Sequence, residues 1–169
     1  MDIRVILSCL ACAVMSASGC NALSKGCTLI GCQDSFGATV RSADGSFPSG
    51  AHRVEALADG TSLTCTFVYP DQGASTHLCD ALDVIVWPET TCTDTMMDGA
   101  VSHSCEPIPG KFYESIALPG TPGQVHVWQY VDDTAVLDAA VAPSYQEFAP
   151  NGRECGPICR QATASLMFQ

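Results

Sequence analysis

The sequence predicts an all-β protein: an antiparallel β-sandwich of Ig-like or prealbumin-like topology, with about eight short strands stapled by disulfides. Three observations carry this expectation. Apolar and polar residues alternate with period two in several stretches, as where Phe36, Ala38 and Val40 interleave with Ser35, Gly37, Thr39 and Arg41. Turn-forming pairs punctuate these runs, among them Asp44-Gly45, Asp59-Gly60 and Asp132-Asp133. No stretch sustains a helical spacing of apolar residues between capping signals.

Taken in order, the first strand covers Ser35 to Arg41, and turn chemistry follows at Asp44-Gly45 and at Pro48-Ser49-Gly50. His52, Val54 and Ala56 then face one way and Arg53 and Glu55 the other. Asp59-Gly60 closes a tight hairpin onto Ser62–Tyr69, whose Leu63, Cys65 and Phe67 point inward. The pattern lapses from Asp71 to Asp80. Leu82 to Trp87 is almost continuously apolar, as a central strand would be, and Pro88 is expected to end it. Glu89 to Gly110 is the longest stretch without period and reads as a loop pinned by Cys92 and Cys105. Alternation resumes at Phe112–Leu118 and at Gln124–Val131, where Val125, Val127 and Val131 lie opposite His126, Trp128 and Tyr130. Asp132-Asp133-Thr134 turns the chain into Ala135–Val141. The last strand is Ala162–Phe168, with Ala164, Leu166 and Phe168 on one face.

A chain of 169 residues is of one-domain size. Its 18 acidic and 7 basic residues give a formal charge of −11. That balance argues against nucleic acid, whose binding requires Lys and Arg to release phosphate counterions, and against adhesion to anionic lipid by charge alone. A dispersed acidic surface is the simpler consequence.

The apolar run from Val5 to Met15 follows Arg4 and precedes the small residues Ser16-Ala17-Ser18-Gly19. As a helix it would rise only about 16 Å, against a hydrocarbon core of about 30 Å, so it reads as a signal peptide over residues 1–19. Ala17-Ser18-Gly19-Cys20 resembles a bacterial lipobox, with Ala17 where leucine is usual. This implies lipid on Cys20, a tether over residues 20–31 and a sandwich domain over 32–169. Ala17 and Gly19 also suit the general signal peptidase, which would give a secreted protein instead. Cysteine parity favours lipidation: of 11 cysteines, Cys9 and Cys12 leave with the leader and Cys20 takes the lipid. The remaining Cys27, Cys32, Cys65, Cys79, Cys92, Cys105, Cys155 and Cys159 can pair completely. So many cysteines indicate an oxidising compartment. Spacing makes Cys65 with Cys79 and Cys92 with Cys105 plausible local links, and Cys27 and Cys32 can close onto Cys155 or Cys159. Sequence does not choose among the pairings.

Four groups of residues invite chemistry. His77-Leu78-Cys79-Asp80 and His103-Ser104-Cys105-Glu106 repeat a His-x-Cys-carboxylate pattern, from which two imidazoles and two thiolates could form a zinc site; in an oxidised protein those cysteines are consumed by pairing. Cys155-Gly156-Pro157-Ile158-Cys159 is one residue longer than a thioredoxin-type Cys-Gly-Pro-Cys, and a strand follows it where that motif opens a helix, so it reads as a staple. Asp94, Asp98, Asp132 and Asp133 lack the spacing of a calcium loop. His126, Trp128 and Tyr130 form either a ligand platform or a covered sheet face. No Gly-x-Ser-x-Gly elbow, zinc helix or phosphate loop is present. No metal, cofactor or catalytic residue is therefore expected.

Taken together, the lipobox cysteine, Gly31-Cys32-x-Asp34 before the first strand, Asp59-Gly60 with Cys65, and Tyr145 with Pro150-Asn151-Gly152 and Cys155-Gly156-Pro157-x-Cys159-Arg160-Gln161-Ala162 resemble small cysteine-rich lipoproteins of unassigned function from myxobacteria and their relatives. The resemblance implies an anchored β-sandwich of the cell envelope and carries over no activity or ligand. The expectation drawn for this chain is a non-enzymatic module held by lipid on Cys20, in the outer membrane rather than the inner, that meets an envelope protein or small ligand. Glu89–Gly110 lies outside the shared pattern. The competing expectation is a thiol-redox or metal-binding envelope protein using Cys155 and Cys159 or the two His-x-Cys pairs.

Overall fold

The structure, a computed structural model, describes residue 27 and residues 30–70, 75–97 and 100–169. Ten strands run through these residues: β1 (Ser35–Arg41), β2 (Gly50–Ala58), β3 (Thr61–Tyr69), β4 (Ser75–Cys79), β5 (Leu82–Met97), β6 (Ala100–Pro119), β7 (Val125–Val131), β8 (Thr134–Val141), β9 (Gln146–Phe148) and β10 (Cys159–Met167). One sheet has six strands in the order β4-β5-β6-β1-β10-β9, and the other four in the order β3-β2-β7-β8. No helix occurs among the described residues, so none there is long and apolar enough to cross a membrane.

The alternation seen in the sequence decides which residues meet. Phe36, Ala38 and Val40 of β1, Val84 and Val86 of β5, and Ile116 and Leu118 of β6 are buried from the six-stranded sheet. Val54 and Ala56 of β2, Phe67 of β3 and Val127 of β7 are buried from the four-stranded one. All belong to one core cluster, which makes the architecture β-sandwich-like. Each buried valine, isoleucine or phenylalanine contributes about 1.5–3 kcal/mol of transfer free energy. The hairpin turns use the expected chemistry. Asp59 and Gly60 have φ of 47° and 87°, and Asp132 and Asp133 of 48° and 61°, the left-handed values that two-residue turns between twisted strands need. Asp59 also accepts hydrogen bonds from the backbone N–H of Gly123 at 2.9 Å and of Gln124 at 3.0 Å, tying the β2–β3 turn to the start of β7.

Three expectations are corrected. The sandwich is not wholly antiparallel: β1 and β10 pair in parallel, Ser35 opposite Gln161 through Arg41 opposite Met167. At the end where both strands start, Cys32, just ahead of β1, is bonded to Cys159, the first residue of β10. Second, Pro88 does not end its strand, and Glu89–Gly110 is not a loop. β5 continues to Met97 and β6 begins at Ala100, the two pairing as far as Met97 opposite Ala100. Pro88 is tolerated because β4 pairs only with Leu82–Val86, so β5 is already an edge there, and the register shifts between Pro88 and Thr90. Third, the lapse before Asp80 contains β4, whose five residues lie at an edge. With β9 this raises the strand number to ten.

Candidate functional site

The sequence motif near the C-terminus is a fastener. Cys27 is bonded to Cys155 and Cys32 to Cys159, so two disulfides join the segment ahead of β1 to the turn ahead of β10. The polar residues of the motif make the same junction. Asn151 donates from Nδ2 to the carbonyls of Ile30 at 2.8 Å and Gly156 at 2.7 Å, and its Oδ1 accepts from the Ile30 N–H at 3.3 Å. The Asp34 carboxylate accepts from the Arg160 N–H at 2.7 Å, while its carbonyl accepts from Gly120 at 2.8 Å. Cys155 and Cys159 are therefore bonded to other cysteines and not to each other. Cys20 lies outside the described residues.

The fastener sits at the Ser35 end of the six-stranded sheet. β6 runs antiparallel to β1, with Pro119 opposite Ser35 and Glu114 opposite Val40. The part of β6 before Glu114, with its partner in β5, therefore extends past the opposite end. Thr90–Met97 and Ala100–Pro107 form a two-stranded ribbon about 25 Å long, which we call the arm. Exposure follows: every described side chain of these segments is exposed, with Met96 at 74% and Val101 at 64%. Cys92 and Cys105 face each other in register, Cα atoms 4.0 Å apart, and are disulfide-bonded. A two-stranded ribbon alone is marginally stable, and this cross-link compensates.

The two His-x-Cys motifs do not converge. Cys79 is bonded to Cys65 across to β3, and His77 stacks on Phe67 with ring centroids 4.4 Å apart. His103 stays on the arm, its Nδ1 paired with the Asp94 carboxylate. The four-ligand zinc set of the sequence reading is thus split between sandwich and arm. A smaller set appears instead: ligand atoms of Cys92, His103 and Cys105 lie within 4.8 Å of one another. Of the acidic residues weighed for calcium, Asp132 accepts from the Ala51 N–H at 2.9 Å and shapes the β7–β8 turn with Asp133, while Asp98 lies outside the described residues. The His126, Trp128 and Tyr130 stripe forms the half-buried outer face of the four-stranded sheet. His126 stacks on Trp128 at 3.8 Å and meets Asp138 at 2.5 Å, and the Arg53 guanidinium lies 4.0 Å over Tyr130. Beside it a shallow cleft of about 440 Å³ is lined by Leu57, Asp59, His126 and Val141.

Sequence reasoning missed a polar cluster between the sheets. Glu114 of β6 and Gln129 of β7 are fully buried, and His52 of β2 is 2% exposed. Gln129 donates from Nε2 to His52 Nδ1 at 3.0 Å, and the ring donates from Nε2 to the Pro48 carbonyl at 2.9 Å. Both ring nitrogens are thereby used by neutral imidazole, and burial holds the His52 pKa below its ordinary value. Neither carboxyl oxygen of Glu114, nor Oε1 of Gln129, has a hydrogen-bond partner among the described residues. Burial pushes Glu114 up to about 8, an effect the Gln129 amide only partly offsets. A neutral carboxyl is the form that suits this place, since it can donate where an ionised one can only accept. The signal was present in the sequence. Glu114 holds an inward position in Phe112-x-Glu114-x-Ile116-x-Leu118, and Gln129 one in Val125-x-Val127-x-Gln129-x-Val131.

Comparison of the chain with protein-family models, with curated proteins and with solved structures gives no match.

Proposed function

We propose that this protein is a lipid-anchored module of the bacterial cell envelope, an Ig-like or prealbumin-like sandwich that holds its arm away from the membrane for contact with an envelope protein or ligand, and that it has no catalytic activity. The observation that carries this reading is the opposition of fastener and arm. Cys27 is seven residues after Cys20, a reach of at most about 25 Å, so a lipid on Cys20 keeps the fastened end close to the bilayer. The arm leaves the opposite end of the same sheet. Force on the anchor would enter the domain through Cys27–Cys155 and Cys32–Cys159 and reach β10 directly. Four disulfides fit an oxidising compartment. The outer membrane is our preferred location.

Further support comes from the groups that could do chemistry. The eight cysteines from Cys27 onward are paired, His52 and His77 are stacked against core aromatics, and His103 and His126 are held by Asp94 and Asp138. The test is fractionation of cells carrying wild type or Cys20→Ser. The wild type is expected in the membrane fraction and extractable by detergent alone, and Cys20→Ser in the soluble fraction or retained as unprocessed precursor, because two acyl chains give stable anchoring that the folded domain does not replace. Equal partition of the two forms, with Cys20→Ser processed to the same mature chain as the wild type, would refute the anchor.

A further inference from the structure

We propose that the arm carries a metal site gated by its own disulfide: reduction of Cys92–Cys105 releases two thiolates that, with His103, bind zinc or another thiophilic divalent ion. The inference goes beyond the anchored-module reading and does not depend on lipid at Cys20. It rests on register. In the β5–β6 ladder Cys92 lies opposite Cys105, and Asp94 lies opposite His103. Side chains two apart share a face of the ribbon, so all four groups project from one side. The two Sγ atoms and a ring nitrogen of His103 already lie within 4.8 Å of one another.

In tetrahedral zinc coordination, with Zn–S near 2.3 Å, two thiolate sulfurs sit about 3.8 Å apart. Once the disulfide opens, small side-chain rotations reach that geometry without moving the backbone, because the ladder on either side keeps the strands in register. Asp94 supplies what metal-bound imidazoles usually have, a carboxylate on the other ring nitrogen. Its bond to Nδ1 orients His103 and leaves Nε2 for the metal. Two cysteines and one histidine leave a fourth position for water or a partner's ligand.

The step is a two-electron exchange. A dithiol reductant, protein or small molecule, gives two electrons and two protons to the Sγ–Sγ bond, which breaks to two thiols as the reductant closes its own disulfide. The divalent ion then displaces both thiol protons to solvent and bonds the two sulfurs, replacing the disulfide as the cross-link of the arm. Exposure makes the step selective. Among the described residues Cys92–Cys105 is the one pair whose two residues are both exposed, whereas Cys65 is 1% and Cys159 3% exposed and Cys155 is half-buried, so each other pair includes a buried or half-buried cysteine.

The test uses the purified mature protein, cobalt(II) as the metal and a dithiol under native conditions. Differential alkylation with mass spectrometry is expected to find Cys92 and Cys105 reduced first. The reduced protein should then bind one cobalt ion per chain, with thiolate-to-cobalt charge-transfer absorption and tetrahedral d–d bands, while the oxidised protein binds none. Cys92→Ser should lose the bands. His103→Ala, which leaves the disulfide and the oxidised fold intact, should weaken binding at least as much as Asp94→Asn, expected at about 10–100-fold. Earlier reduction of another pair, absence of cobalt thiolate bands after reduction, or undiminished binding by His103→Ala would overturn the proposal.

Discussion

Replacing Glu114 by glutamine isolates the energetic effect of a carboxyl placed between two sheets. The side chain is fully buried, flanked in register by Val40 on β1 and Val86 on β5, so its charged form has no access to water. Unfolded, it ionises near 4.5, and folded, near 8. Between these values the unfolded chain has released a proton that the native chain keeps. Stability contributed by the neutral carboxyl is therefore fully present below pH 4.5 and is lost progressively as pH rises to about 8. At about 1.4 kcal/mol per pH unit the full loss is about 5 kcal/mol, of which about 4 kcal/mol falls between pH 5 and pH 9. Glutamine has nearly the same shape and cannot ionise. Urea unfolding of wild type and Glu114→Gln at both pH values, disulfides intact, measures the effect, and the difference between the proteins cancels every other titrating group. From pH 5 to pH 9 the variant should gain about 4 kcal/mol relative to wild type. A gap that stays constant within about 1 kcal/mol would show that Glu114 does not enter the core as a neutral acid, and the burial argument would fail.

Other outcomes follow from the same geometry. His52 has its pKa lowered by burial, so its contribution to stability is present above pH 6.5 and is lost as pH falls below it; an NMR titration should place its midpoint below 6.5, and a midpoint at or above that value contradicts the stacked, neutral ring. The two fastening disulfides close almost the same long loop, with sequence separations of 128 and 127. Removing Cys27–Cys155 alone reopens only the small ring between the two bonds and should cost about 3 kcal/mol, while removing both should cost about 7–8 kcal/mol. Equal and additive losses near 5 kcal/mol for each single removal would refute that account. Replacing Thr90–Pro107 by a two-residue Asn-Gly turn should change the unfolding free energy of the sandwich by less than about 1 kcal/mol, since the described side chains of the arm are exposed; calorimetry showing a larger loss would mean that the arm packs on the domain.

What the sequence made legible was whatever the core enforces. Where one face of a strand is buried, as at Phe36, Ala38 and Val40 or at Val125 and Val127, solvent and core select opposite residue types and period two results. The turns were legible for a different reason, because left-handed φ at Asp59, Gly60, Asp132 and Asp133 restricts the residues allowed. The arm was illegible because neither of its faces touches the core, so Thr91, Thr93 and Thr95 can alternate with Cys92, Asp94 and Met96 without any apolar rhythm. Two local signs were nonetheless there. Asp98-Gly99 is a hairpin dipeptide, and Cys92 and Cys105 stand at equal distances on either side of it. β4 and β9 were missed because edge strands of five and three residues are too short to display a period. The parallel pairing of β1 with β10 leaves no trace in the local pattern of either strand. Of the candidate chemistry, the cysteine-rich ends were legible as a fastener, whereas the split of the His-x-Cys motifs depended on which strands are neighbours.

The anchored-module account is tested most directly by the intact mass of the protein extracted from envelopes with detergent, without reduction. It should correspond to a chain beginning at Cys20, carrying two or three acyl chains, and lighter by the eight hydrogens that four disulfides remove. A mature chain without acyl mass at Cys20 would contradict the anchor, and a mass that retains those hydrogens would contradict the fastened, oxidised domain on which the rest depends.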